Sequence, residues 1–273
     1  MATAYRGMDQ GALDREYNAR ASVPDYEAEA ARYRTLSAAA RDALPFETMA
    51  YDPHSPEQLD WFPTKPGSPV FLWVHGGYWR ALSRHDQSCV APGLVASGVQ
   101  VAVMDYTLVP HATLDEIVRQ VRQACAFAAA RAGGPVFVGG SSAGGHLGAM
   151  TLDMACVRGA VLLSGLYDLE PVRLSHVNGW MQLDAAAAHR NSPVHHIPHP
   201  PRVPLLLAYG AEETGEFKRQ TEDYATAYTA AGGVARILPQ PGRNHFNVAA
   251  ALGDTADPMC RAALSFIQGS TNP

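Results

Sequence analysis

The sequence lacks the cysteine spacing of a disulfide framework or of a metal site. Its four cysteines lie far apart, each in a segment with the character of a helix or a helix edge. We therefore expect buried free thiols in a protein from a reducing compartment. These residues are Cys89, Cys125, Cys156 and Cys260.

Runs of like charge and long apolar runs are also missing. A formal net charge of -5, with both signs interspersed, gives no field that would gather nucleic acid or an anionic membrane surface. No apolar run approaches the ~18 residues that cross a bilayer, and residues 1–20 lack the apolar core of a secretory signal. We therefore expect a soluble, cytoplasmic protein without nucleic-acid or membrane partners.

Histidine is more plentiful, with eleven residues, and the densest group is His195, His196 and His199. Four prolines are interleaved with this group, and no cysteine or carboxylate accompanies it. We expect an irregular loop there and no metal site.

Short, continuously apolar segments rich in β-branched residues recur along the chain. Continuous apolarity indicates strands buried on both faces, as in a parallel sheet. Segments with helical periodicity alternate with them, which predicts parallel βαβ units in an α/β fold. The predicted strands are residues 70–74, 99–104, 136–138, 160–163, 205–208 and 234–238, and the predicted helices are 113–129, 142–155, 216–231 and 256–267.

The remaining segments frame this alternation within one domain, residues 1–273. Residues 1–45 predict an N-terminal arm of two short helices broken near residues 22–25. Residues 46–51 and 59–62 suit edge strands on either side of a turn. Residues 167–203, rich in proline and alanine, interrupt the alternation and predict a small cap insertion.

The stretch GGSSAGGH, residues 139–146, follows a predicted buried strand. Residues 140–144 match G-x-S-x-G, in which a tight strand-to-helix turn raises a serine hydroxyl above the sheet and small flanking residues prevent clashes. Gly140 and Gly144 fit around Ser142, whereas Ser141 would place Ala143 at the second flanking position. We therefore predict Ser142 as a nucleophile. A plain Gly/Ser turn and a phosphate-binding loop are the alternatives, although neither phosphate motif is present.

A second glycine motif, HGGYW at residues 75–79, follows the strand predicted at 70–74. Glycines there let backbone N–H groups approach the carbonyl oxygen that gains charge in acyl transfer, and each such donor contributes roughly 3 to 4 kcal/mol. We predict an oxyanion hole formed by the amides of Gly77, Tyr78 and Ala143. His75 is interpreted as structural.

A nucleophile in such a turn requires an acid and then a histidine, each on a loop after a later strand. Glu213 stands three residues past Gly210 and is the preferred acid, with Glu212 left as an alternative. Glu216 fits the first turn of a helix. His245 follows the last predicted strand and is the predicted base. His146 is interpreted as a packing residue.

With these residues in place, the chain resembles the α/β-hydrolase superfamily. Within it, the chain is similar to the kynurenine formamidase (arylformamidase) group near the hormone-sensitive-lipase-like esterases. The resemblance covers nearly the whole chain. It rests on REYNAR at 15–20 with VPD at 23–25, HGGYW at 75–79, DYTLVP at 105–110, GGSSAGGHL at 139–147, EFKRQ at 216–220 and NHFN at 244–247.

The resemblance implies a metal-free serine hydrolase that uses no cofactor and cleaves a small ester or an aryl formamide. Two departures loosen the substrate assignment: the acid is Glu where many relatives have Asp, and Thr107 replaces an esterase Arg. Tyr78, Trp79, Trp180 and Phe246 suggest an apolar substrate pocket, although the same side chains could form core.

Three other functions stay open beside a carboxylesterase: N-formylkynurenine formamidase proper, a catalytically silent receptor on the same fold, and a nucleotide-binding module. A homodimer stays open as the oligomeric state.

Overall fold

Eight strands form one central sheet in the computed structural model, which describes residues 4–269. They are β1 (Glu47–Ala50), β2 (Gln58–Phe62), β3 (Val70–Val74), β4 (Gln100–Met104), β5 (Val136–Ser141), β6 (Val157–Leu163), β7 (Leu205–Gly210) and β8 (Ala235–Gln240). Their order across the sheet is β1-β2-β4-β3-β5-β6-β7-β8. β2 pairs antiparallel with both of its neighbours, and the other neighbouring pairs are parallel. The predicted mostly parallel sheet is confirmed. Of the two predicted edge strands, β1 lies at the edge, whereas β2 lies between β1 and β4 and is not an edge strand.

The strands are continuously apolar because both faces of the sheet are covered. All five residues of β3 are buried. Leu72 and Val74 pack into the core on one face, whereas Phe71 and Trp73 pack into the core on the other. This alternation follows from the twofold side-chain period of a strand. The sheet is therefore the rigid base on which the loops at the carboxyl ends of its strands are held.

Helices cover the two faces and form the N-terminal arm. They are α1 (Gln10–Glu16), α2 (Tyr26–Ala43), α3 (Arg84–Gln87), α4 (Ala91–Ala96), α5 (Leu114–Ala132), α6 (Ala143–Ala149), α7 (Glu170–Leu174), α8 (Asn178–Met181), α9 (Ala185–Arg190), α10 (Gly215–Ala230) and α11 (Pro258–Gly269). α5 begins as its sequence predicts, because the Thr113 hydroxyl accepts the Glu116 N–H at 3.3 Å. It ends at Gly133, which adopts the left-handed conformation at φ 58°.

Two helices differ in length from their sequence predictions. The helix expected over residues 142–155 ends at Ala149, where the Thr151 hydroxyl donates to the Gly148 carbonyl at 2.8 Å and the chain enters turns. The arm does break at residues 22–25, where the Asp25 carboxylate caps the N–H of Ala28 at 2.9 Å. The second arm helix, α2, is however 18 residues long and not short.

The segment between β6 and β7 carries α7, α8 and α9, and we call it the insertion. Arg190 and Asn191 bind Asp115 at the start of α5, which ties the insertion to the main domain. His195 lies in a 3₁₀ turn and stacks on His189 with ring centroids 4.1 Å apart. Within residues 4–269, no group of three or more His, Cys, Asp or Glu side chains is arranged to hold a metal ion.

Two further expectations concern thiols and membrane helices. All four cysteines are free, and three are buried as expected, but Cys156 is partly exposed at the turn before β6. Among residues 4–269, no helix combines the length and apolar character that crossing a membrane requires.

Candidate active site

Ser142 occupies the turn between β5 and α6 in a strained backbone conformation, with φ 57° and ψ -120°. A residue with a side chain rarely adopts this region, and such strain is kept only where surrounding contacts enforce it. The contacts here are the Ser142 N–H, which donates to the Leu163 carbonyl at 2.8 Å, and the Ser142 carbonyl, which accepts from the His146 N–H at 3.0 Å. The strand, the turn and the helix therefore hold this serine at the carboxyl end of β5, in the middle of the sheet.

The two flanking glycines are required by close backbone approach. A Cβ atom at Gly140 would lie 2.3 Å from the Gly144 carbonyl oxygen. A Cβ atom at Gly144 would lie 1.9 Å from the carbonyl oxygen of Val74, at the end of β3. Both distances are far below van der Waals contact, so the small residues of the G-x-S-x-G pattern have the steric role that the sequence predicts.

Glu213 and His245 are brought into direct contact, although 32 residues separate them in the chain. The ring nitrogen Nδ1 of His245 lies 2.6 Å from Glu213 Oε2, and both side chains are buried. A carboxylate in this position accepts the Nδ1–H and fixes the tautomer, which leaves Nε2 free to accept a proton. The pair therefore has the geometry of a base and its orienting acid.

The two other candidate glutamates lie elsewhere. Glu212 is exposed to solvent. Glu216 is in the first turn of α10, as predicted, and its carboxylate binds Arg219 and accepts from the Tyr17 hydroxyl at 2.8 Å. In the described part of the chain, neither of them forms a hydrogen bond or an ion pair with His245.

Ser164 holds the carboxylate of Glu213, and sequence reasoning did not find it. Its hydroxyl donates to Glu213 Oε1 at 2.6 Å, and the Gly210 N–H donates to the same oxygen at 2.6 Å. With His245 on the other oxygen, three donors surround this buried carboxylate. Such donors satisfy the buried carboxylate oxygens and fix their orientation.

The loop after β3 is held by a polar stack. The Tyr106 hydroxyl donates to the carbonyls of His75 and Gly76, at 3.0 and 3.1 Å. The His75 ring stacks on Tyr106 with centroids 4.1 Å apart, and its Nδ1–H donates to the Gly76 carbonyl at 2.8 Å. Burial lowers the pKa of His75, which keeps its ring neutral. His75 therefore shapes the loop, in agreement with its structural interpretation.

The amides predicted for the oxyanion hole have no protein acceptor. Within residues 4–269, the backbone N–H groups of Gly77, Tyr78 and Ala143 donate to no carbonyl or side chain. Gly77 has φ 95°, and a Cβ atom there would lie 2.1 Å from the Ala81 carbonyl oxygen, so glycine is required. These three donors are thus available to a ligand.

Thr107, the departure from the esterase arginine, belongs to a separate polar network. Its hydroxyl donates to Glu57 at 2.9 Å and accepts from the Gln120 side chain at 3.0 Å. Its backbone N–H also donates to Gln120. Tyr106, the preceding residue, separately donates to the carbonyls of His75 and Gly76.

A cavity of about 260 Å³ joins the candidate residues. Ser142 and His245 both line it, together with Gly77, Tyr78, Trp180 and Phe246. Trp180 comes from α8, so the insertion forms part of the cavity wall.

Trp79, expected in the same pocket, requires a correction. Its indole is completely buried in the core and donates to His146 Nδ1 at 3.2 Å. Tyr78 and Trp79 both have positive φ, 50° and 57°, so the loop does not follow the simple alternation of a strand.

The N-terminal arm also lines the cavity, which sequence reasoning missed. The Tyr78 hydroxyl donates to the Tyr17 carbonyl at 2.6 Å, so the arm contacts the loop after β3 directly. The REYNAR stretch at residues 15–20 was the available sequence signal for this role of the arm, because it supplies part of the cavity wall. The arm residues on the cavity wall include Tyr17, Arg20, Tyr26, Tyr33 and Arg34.

His146 packs in α6 as the sequence predicts, and it makes a pH-dependent contribution to stability. Its Nε2–H donates to the Asn191 carbonyl at 2.7 Å, and burial lowers its pKa to about 4. Between pH 6.5 and pH 4, the His146 ring is protonated in the unfolded chain but stays neutral in the folded protein. The contribution is therefore complete above pH 6.5 and is lost as the pH falls toward 4, by a total of about 3 kcal/mol.

We expect His146→Gln to flatten this dependence. Between pH 7 and pH 4.5 its unfolding free energy should fall by about 2 to 3 kcal/mol less than that of the wild type, as measured by urea denaturation. His111→Gln, at an exposed position, should keep the wild-type slope. Equal slopes in the His146 variant and the wild type would contradict this assignment.

Comparisons with known proteins place the chain among hydrolases. The BD-FAE family model matches residues 61–156. Kynurenine formamidase from Salmo salar is 31% identical over 201 residues, which is 68% of each chain, and that from Danio rerio is 29% identical over 205 residues, which is 70% of each. A candidate thioesterase from Silicibacter sp. TM1040 superposes with a TM-score of 0.83 at 29% identity, over 94% of this chain and 98% of that one. An esterase from Pyrobaculum calidifontis shares the fold, with a TM-score of 0.73 at 19% identity, over 92% and 95%.

Proposed function

The chain belongs to the kynurenine formamidase family of the α/β-hydrolases, and on that basis we propose that it is a serine hydrolase that cleaves a small carboxylic ester or an aryl formamide. The observation that carries the proposal is the buried His245–Glu213 pair beside the cavity that Ser142 also lines. The proposed triad is Ser142, His245 and Glu213, and its substrate is a small molecule.

In the first step, His245 Nε2 takes the proton of Ser142 Oγ while the oxygen attacks the substrate carbonyl carbon. The carbonyl oxygen gains negative charge, which the amides of Gly77, Tyr78 and Ala143 stabilise. His245 then gives its proton to the leaving alcohol or amine, and the bond between the carbonyl carbon and that group breaks. The product of this step is an acyl ester on Ser142.

In the second step, water replaces the leaving group. His245 removes a proton from the water as it attacks the acyl carbon, and the same three amides receive the charge. Collapse of this intermediate returns the proton to Ser142 Oγ and releases the carboxylic acid. Glu213 accepts the Nδ1–H of His245 and stabilises the imidazolium that forms twice in each cycle.

The size and lining of the cavity support a small substrate with an apolar part. Its volume of about 260 Å³ lies just below the range of about 300 to 1,000 Å³ typical of sites for drug-sized ligands. Tyr78, Trp180 and Phe246 offer aromatic surface to an aryl or alkyl group. We propose that the arm and the insertion together form the cap of this pocket.

N-formylkynurenine hydrolysis is the second candidate function, because the relatives in Salmo salar and Danio rerio carry the name kynurenine formamidase. In that reaction the acyl group on Ser142 would be formyl, and the leaving group would be an aromatic amine. The catalytic residues would have the same roles.

The experiment compares kcat/KM for p-nitrophenyl acetate, p-nitrophenyl butyrate and N-formylkynurenine, with Ser142→Ala protein assayed in parallel. We expect turnover of at least one acetyl or formyl substrate by the wild type and none above background by the variant. A preference for N-formylkynurenine would select the second candidate. Turnover of none of the three, by protein shown to be folded, would favour a silent receptor and contradict the proposal.

A further inference from the structure

Among the residues that the structure describes, three arginines line the cavity and form no ion pair. They are Arg20 and Arg34 of the N-terminal arm and Arg80, which follows the loop at residues 75–79, and we call them the cationic rim. All three side chains are exposed, and none of them forms a salt bridge within residues 4–269. The other arginines near the sheet contrast with them, since Arg41 and Arg84 are both paired with aspartates.

The cavity is positive although the protein carries a formal net charge of -5. Asp86 is the one carboxylate on the cavity wall, among the residues described, and its Oδ2 accepts from the Ser83 hydroxyl at 2.7 Å. His176 also lines the cavity, 3.6 Å from Asp14. The three guanidinium groups of the rim therefore outnumber Asp86 on the wall and Glu213, whose carboxylate lies 2.6 Å from His245 of the wall. A cleft with walls of low dielectric focuses such a field on whatever enters it.

Two members of the rim are held by aromatic rings. The Arg20 guanidinium carbon lies 4.4 Å from the ring centre of Tyr26, and that of Arg80 lies 3.7 Å from the ring of Trp180. Stacking uses the face of a guanidinium and leaves its N–H edge free for an oxygen ligand. It also limits the rotamer entropy that binding would otherwise cost.

The cationic rim and the candidate nucleophile, Ser142, line the same cavity. Charges separated by less than about one Debye length, ~8 Å at physiological ionic strength, are screened only in part. A ligand whose carbonyl lies at Ser142 is therefore exposed to a rim field that salt screens only in part.

We propose that the cationic rim binds a carboxylate of the substrate, so that the enzyme prefers esters and amides that carry a negative charge. This inference rests on the proposed hydrolase function of the same site. A planar carboxylate matches the paired N–H donors of a guanidinium better than any neutral group of similar size does.

The test uses two aryl acetates that differ in charge, 4-acetoxybenzoate and 4-acetoxybenzamide. The wild type should have a kcat/KM about tenfold higher for the anion, and this ratio should approach one as NaCl is raised to about 1 M. In a triple variant, Arg20→Gln, Arg34→Gln and Arg80→Gln, the anionic ester should lose about tenfold and the neutral ester about twofold or less. Arg32→Gln, an exposed position on the same helix as Arg34, should keep the wild-type ratio.

A binding measurement separates this inference from the hydrolase proposal. Benzoate and benzamide are titrated calorimetrically into Ser142→Ala protein, which needs no turnover. Benzoate should bind more tightly, and its Kd should rise about tenfold in the background of the triple variant. Equal Kd values for benzoate and benzamide, or a charge preference that survives the triple substitution, would overturn the cationic rim even where both esters are hydrolysed. Selective benzoate binding without ester turnover would support carboxylate binding by the cationic rim and contradict the proposed hydrolase function.

Discussion

Replacing Ser142 with alanine is expected to lower kcat for p-nitrophenyl acetate by about 10⁶-fold, the loss found when a serine hydrolase is deprived of its nucleophile. The variant keeps the cavity and the three unpaired amides but has no oxygen that can form the acyl ester. KM is not informative for a variant with almost no turnover. Burst-phase release and steady-state release of p-nitrophenol should therefore both be followed.

Ser141→Ala is the matched control, because Ser141 also lines the cavity and stands one residue earlier, at the end of β5. We expect it to keep activity within about tenfold, since its backbone conformation is that of a regular strand. The thermal midpoint of Ser142→Ala should stay near that of the wild type, because alanine retains the Cβ atom in the strained turn. Full activity in Ser142→Ala, together with its loss in Ser141→Ala, would reverse the assignment.

Substitution of Glu213 by glutamine is expected to lower kcat by about 10⁴-fold. The amide is close in size to the carboxylate, so the pocket stays filled. It removes the negative charge that stabilises the His245 imidazolium, and its NH₂ group can favour the wrong tautomer of the ring. The measurement is kcat from pH 5 to pH 9. A merely structural loss would lower kcat without changing the shape of its pH profile, whereas loss of the Glu213 charge should change that shape.

Glu212→Gln provides the paired control for this change. It makes the same chemical replacement one residue earlier, at a position exposed to solvent. We expect its kcat to stay within about twofold of the wild type. A large loss from Glu212→Gln and a small one from Glu213→Gln would show that the loop rearranges during catalysis and would exclude Glu213 as the orienting acid.

Sequence reasoning predicted the features of this site that depend on residues close together in the chain. The turn at Ser142 follows from glycines at fixed spacing, since only they tolerate backbone atoms about 2 Å from a would-be Cβ. The strands follow from continuous apolarity, because both faces of the sheet are covered. The contact of His245 with Glu213, and not with Glu212, agrees with the short reach from the end of β7.

The parts that it missed depend on contacts between distant segments or on irregular loops. Tyr17 meets Tyr78 across 61 residues, and Ser164 meets Glu213 across 49. No periodicity in the sequence encodes such meetings. The Trp79 side chain could not be placed because the positive φ values at residues 78 and 79 break any regular alternation. The arm was recognised as helical, but its place against the cavity emerges only from packing.

The central claim is that Ser142 is the hydroxyl activated by His245. Fluorophosphonate labelling, followed by fragment-ion mapping of the peptide that contains residues 141 and 142, tests it most directly. The account predicts one adduct, on the oxygen of Ser142, forming at least about 10³-fold more slowly in His245→Gln. An adduct on Ser141, or equal labelling of the wild type and the His245 variant, would contradict it.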